Sequence, residues 1–218
     1  MQEMSIVKKS IITAICIALC VVLPQLFHAI PEGGRIFLPI HIPVILCGLI
    51  CGWQYGIIAG ALGPVLSFLI TGMPVITDLP QMIVELIVYG FMTGILIKFI
   101  HTKNTYADLY ISLAIAMLLG RVAAAIVRTI IYAGGGSEFS LAIWGTTYFA
   151  AGIPGIIIQF AIIPSIVFAL MQARVIPKRY AREQQTVNST GGWYNETDEK
   201  TGSLDKGDKS YDESKRDQ

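Results

Sequence analysis

Glu85, Arg121 and Arg128 stand well inside long apolar runs of this sequence. A charge held in hydrocarbon costs about 3 kcal/mol or more, so such groups face a polar cavity or one another and mark a functional site. Arg121 and Arg128 are seven residues apart and share one face of a helix; Glu85 and Tyr89 are four apart and share another. Counting inward at about 1.5 Å per residue, Arg128 and Glu85 lie roughly 6 to 9 Å deep, and Arg121, Tyr89 and Gln159 reach roughly the midplane. With Gln81, Tyr132, Trp144 and Tyr148 nearer the boundary, these side chains outline a pocket for a small polar organic ligand with aromatic walls. Glu85 neutralises one arginine at similar depth, and a carboxylate on the ligand would satisfy the other through a bidentate contact. That expectation competes with a plainer one, in which Arg121 lies nearer one surface and extends its head group to it.

The elements that must position these residues follow from composition. With 218 residues, 54% hydrophobic and 14% charged, the chain is too apolar for an ordinary soluble domain and reads as a multi-pass membrane protein. Six spans are predicted, near 9–27, 38–53, 55–71, 80–100, 107–132 and 147–173, each close to the length needed to cross a core of roughly 30 Å. The second and third are short and rich in Gly and Pro, so one interrupted apolar hairpin is the alternative there. The runs lack the period-two alternation of a membrane barrel. The fold expected is therefore an all-α membrane bundle of about six transmembrane helices over 1–180, followed by a disordered tail over 181–218. The tail is polar, with almost no aliphatic residue to bury.

Charge in the connections predicts orientation. If the amino terminus is cytoplasmic, Lys8, Lys9, Lys98, Lys103, Arg174, Lys178, Arg179 and Arg182 collect on one side and only Arg35 on the other. The positive-inside rule then puts both termini in the cytoplasm and opens the pocket outward. Lys8 and Lys9 ahead of an apolar run resemble a signal peptide, but no good small-residue cleavage site follows, so an uncleaved span is expected. Half of the sixteen Lys and Arg lie after Arg174, among the acidic residues of the tail. No basic surface for nucleic acid results.

Cys16, Cys20, Cys47 and Cys51 form two pairs at i, i+4 spacing, with His28 and His41 near one membrane face. Cysteine also suits close helix packing, and no C-x-x-C spacing or acidic support is present, so packing is expected rather than a metal site. The two histidines flank a loop, where an interfacial role needs no ligand. Ala14 and Ala18, then Gly48, Gly52, Gly56, Gly60 and Gly63, repeat small residues at helical spacing, which lets helices approach closely in lipid. The sequence has no H-E-x-x-H, G-x-S-x-G or paired-carboxylate element, and no G-x-x-x-x-G-K-[ST] phosphate loop. An enzyme is not expected.

The order of several stretches resembles the S components, the substrate-binding membrane subunits, of energy-coupling-factor vitamin transporters. These are Ala14-x-x-x-Ala18, the run from Pro39 through His41 and Pro43 to Gly48, Gly52-Trp-Gln-Tyr-Gly56, the Leu69-Ile-Thr-Gly72-Met-Pro74 turn, and Glu85-x-x-x-Tyr89-Gly90. The likeness runs over 6–179. It implies a subunit of the bacterial cell membrane that captures a vitamin or precursor from outside and docks onto a membrane T component driven by two ATPase subunits. It places substrate among the fourth to sixth helices and the loops after the first, third and fifth, and it assigns docking to the surface carrying Ala14 and Ala18. No cofactor is expected in this chain, since ATP would be hydrolysed by the partners.

Within that resemblance an arginine-lined pocket fits pantothenate or niacin best, pantothenate first. Cobalt or nickel fits poorly, because the metal-capturing members carry a His-containing amino-terminal segment where this chain reads Met1-Gln2-Glu3-Met4. The alternative function is a self-sufficient permease in which Glu85 carries a coupling proton, an arrangement that a neighbouring arginine opposes.

Overall fold

The computed structural model describes residues 4–27, 33–102, 104–134, 141–173 and 176, without the side chains at 33, 35, 132–134, 141–144 and 146–151. These residues form helices α1 (Ile6–Leu26), α2 (Gly33–Phe37), α3 (His41–Cys51), α4 (Trp53–Thr71), α5 (Leu79–Phe99), α6 (Thr105–Gly134) and α7 (Leu141–Gln172). No strand occurs among the described residues. Five of the helices are long and apolar enough to cross a membrane. The chain is thus an all-α membrane bundle, and the tail over 181–218 lies outside the described residues.

Local chemistry sets the helix ends. Ser5 caps α1, its Oγ accepting from the Lys8 N–H at 3.3 Å. Gly72 closes α4 in the left-handed region (φ 73°), with its N–H on the Phe68 carbonyl at 2.9 Å. Pro80 stands in the first turn of α5, where its missing N–H costs nothing.

The second predicted span departs most from expectation. It contains α3, which is 11 residues long and at about 1.5 Å per residue covers about half of the hydrocarbon core. Gly52, at φ 100°, turns the chain directly from α3 into α4. The Cys51 thiol at the end of α3 reaches the Lys9 carbonyl at 3.6 Å, so this end lies level with the start of α1. Its other end, at His41, consequently begins deep in the bundle. Leu38, Pro39 and Ile40 before it are buried, and Ile36 and Leu38 pack on Gly155 of α7.

Glycine brings α3, α4 and α5 together backbone to backbone. A Cβ on Gly56 would collide with the Gly90 carbonyl, and one on Gly90 with that of Gly56. Such contact supplies the dispersion attraction that holds helices together in lipid, where no hydrophobic effect drives them. It also fixes the axial offset between α4 and α5. Cys16, Cys47 and Cys51 fill a second interface, between α1, α3 and α4, with Ala59 and partly buried Ile12 and Tyr55 around them. All four cysteines are free and buried, and Cys47 Sγ meets the Thr13 hydroxyl at 3.5 Å. Among the described residues no group of three or more His, Cys, Asp and Glu is arranged to hold a metal ion.

Candidate functional site

Glu85 lies on the buried face of α5 and is 1% exposed. One turn on, the Tyr89 hydroxyl donates to Glu85 Oε1 at 2.8 Å, the contact that i, i+4 spacing on one helix provides. The Tyr89 ring packs on Gly120 of α6, where any Cβ would strike Cδ1 and Cε1. Gly120 therefore sets how closely α6 approaches α5 at Tyr89, one residue before Arg121.

Arg121 is 2% exposed. Its guanidinium rests on Gly152 of α7, where a Cβ would lie 2.9 Å from Nη2. The residue is thus buried between α6 and α7 instead of extending to a surface. Gly152, Gly155, Gln159, Ile163 and Val167 are all buried and form one inward stripe of α7. Gln159 is fully buried, and neither atom of its amide has a hydrogen-bond partner among the described residues. Leaving such a group unsatisfied costs about 1 to 3 kcal/mol.

Arg128 makes its ion pair with Asp78, Nη1 to Oδ1 at 2.5 Å, and donates also to the Thr77 carbonyl at 3.2 Å. Asp78 is the residue before α5, so the pair ties the far end of α6 to the connection between α4 and α5. The sequence count had set Glu85 alone against two arginines. Asp78 brings the tally to two carboxylates and two guanidiniums, so charge counting no longer requires an anionic ligand. What remains is the position of Arg121.

His41 is the residue that sequence reasoning missed. A histidine beside a loop reads as interfacial, yet His41 is 1% exposed, its ring centroid 5.4 Å from that of Tyr89 and its Nε2 3.8 Å from Glu85 Oε1. The cause is the shortness of α3, which begins inside the bundle. The Gly52-Trp53 break, which predicts where α3 must end, was the available signal. Gln81, on the same face of α5 as Glu85, is buried too. The side chain of Trp144 lies outside the described residues, as do those of Tyr132 and Tyr148. Ala14 and Ala18 fall on the exposed face of α1, beside Ile11, Ile15 and Val22.

His41, Gln81, Glu85, Tyr89, Arg121 and Gln159, from four helices, supply a buried polar layer, and the apolar core includes Leu109, Leu113, Met117, Ile163, Val167 and Met171 together with the Tyr89 ring. A family model described as the substrate-specific component of ECF (energy-coupling-factor) transporters matches residues 8–172. The chain belongs to that family. No curated protein and no solved structure matches it. The match spans α1 to α7 and so includes every described member of the polar layer. This substrate-specific component is a multi-pass membrane protein and a transporter subunit.

Proposed function

We propose that this subunit binds a small water-soluble vitamin or vitamin precursor with high affinity in the polar layer, and that the ligand is a carboxylate such as pantothenate or niacin. Glu85, Tyr89, Arg121, Arg128, Trp144 and Gln159 are the residues assigned to the site, with Arg121 taking the carboxylate. The observation that carries this reading is the fully buried Gln159 amide with neither atom hydrogen-bonded among the described residues. It lies on the α7 stripe against which the Arg121 guanidinium is packed. A ligand with hydrogen-bonding groups offsets that desolvation cost, and a guanidinium in a dry setting prefers a planar carboxylate.

The rest of the proposal follows family membership and the charge pattern. Both termini are cytoplasmic in a bacterial plasma membrane, so the polar layer faces outward. The face of α1 carrying Ala14 and Ala18 docks on a T component, and two ATPase subunits hydrolyse ATP. No cofactor is assigned to this chain.

Mass spectrometry of the purified protein identifies the small molecule that travels with it, and calorimetry then compares wild type with Arg121→Gln. A carboxylate ligand whose affinity falls about 100-fold in the variant is expected, since charge-assisted bidentate contacts are worth about 3 kcal/mol. A neutral or cationic ligand, or unchanged affinity, sinks the anionic reading.

A further inference from the structure

We infer that His41 and Glu85 form a second recognition pole in the same site, shaped for an alcohol hydroxyl, so that the ligand is a carboxylate that also carries a hydroxyl group. This rests on the reading that Arg121 takes the carboxylate.

His41 is sealed from solvent, and neither ring nitrogen has a hydrogen-bond partner among the described residues. Its Nε2 lies 3.8 Å from Glu85 Oε1, too far for a direct hydrogen bond. Polar groups separated by more than about 3.5 Å are commonly joined by a bridging group. The positions are not loose. Tyr89 holds Oε1 through its hydroxyl at 2.8 Å and lies against the imidazole with ring planes 55° apart, while Tyr89 is itself wedged on Gly120.

Donor and acceptor roles then select the bridging group. A carboxylate oxygen only accepts. The nitrogen nearer to it carries the proton preferentially, because the neighbouring negative charge stabilises the N–H pointing toward it, and an imidazolium would present the same donor. The bridge must therefore accept from Nε2 and donate to Oε1. A hydroxyl does both through one oxygen. A second carboxylate or a carbonyl accepts only and would set lone pairs against Glu85; an ammonium donates only and leaves the imidazole N–H unsatisfied.

The test uses the full chain in detergent, calorimetry and three probes. Pantothenate has a carboxylate and hydroxyls, nicotinate a carboxylate without a hydroxyl, and pantothenyl alcohol hydroxyls without a carboxylate. Pantothenate is expected to bind and nicotinate to bind at least about 100-fold more weakly, as sites built around a buried hydroxyl reject analogues lacking it. His41→Phe, which keeps the ring volume, should weaken pantothenate about 10- to 100-fold, and His41→Gln, which keeps an N–H donor, should recover part of that loss. Equal binding of nicotinate and pantothenate overturns the hydroxyl pole and leaves the carboxylate reading standing. Equal binding of pantothenyl alcohol and pantothenate does the reverse. Affinity for pantothenate within twofold of wild type in folded His41→Phe overturns the role of His41, a water then filling the gap. Should His41→Phe fail to elute as a single species, the same criterion applies to His41→Ala. Binding of none of the three probes overturns both readings.

Discussion

Tyr89 donates its hydroxyl proton to Glu85 one turn earlier on α5, at 2.8 Å and in a layer closed to solvent. The bond orients the carboxylate, and the same ring seats the imidazole of His41 and the backbone of Gly120. Tyr89→Phe keeps the ring and removes the donor. It is expected to lower stability by about 1 to 3 kcal/mol, the cost of leaving a buried acceptor short of a partner. Thermal unfolding in detergent would show a clear fall in Tm with a monodisperse protein; an unchanged Tm would mean that another donor holds Glu85.

The Arg128–Asp78 pair ties α6 to the connection between α4 and α5, and its side chains keep 12% and 22% of their surface exposed. Partial exposure screens the attraction, so a coupling of about 1 kcal/mol is expected from a double-mutant cycle of Arg128→Gln and Asp78→Asn. The coupling should shrink as salt rises. Additive effects of the two substitutions would show that the contact contributes nothing.

The close approach of α4 and α5 depends on Gly56 and Gly90. Gly90→Ala should destabilise by about 1 to 3 kcal/mol or more, because backbone atoms and not a flexible side chain stand in the way. Gly145→Ala meets nothing within 4 Å and serves as the comparison. Equal melting temperatures for the two variants would place the helix crossing elsewhere.

Arginine and lysine differ at a site that grips a planar carboxylate. Arg121→Lys retains the charge but loses the fork of donors, so ligand affinity should fall about 10-fold or more with little change in the ligand preferred. Full affinity in the lysine variant would show that Arg121 acts only as a distant charge.

Ala14 and Ala18 lie on the outward face of α1, away from the polar layer. Replacing both by Leu should leave ligand affinity of the isolated subunit within about twofold, since no core contact is disturbed, while abolishing uptake by the assembled transporter. Normal uptake with the double replacement would move docking to another surface.

Much of this was legible before any coordinates. Apolar runs of span length identify the membrane class, because a bilayer of fixed thickness demands about 20 consecutive residues of a helix. The 3.6-residue period puts Glu85 and Tyr89 on one face of α5, and burial of Arg121 follows from the length of the run around it. Clustered small residues mark helices that pack tightly, which Gly56 and Gly90 do. What the chain order leaves open is the axial offset of one helix against another. That offset is set by where glycine backbones interlock, and it depends on atoms remote in sequence. It decides that α3 starts deep enough to bury His41 beside Glu85, that Arg128 meets Asp78, and that Arg121 lies on Gly152. Periodicity gives each helix its inward face; only the packed bundle determines which inward residues meet.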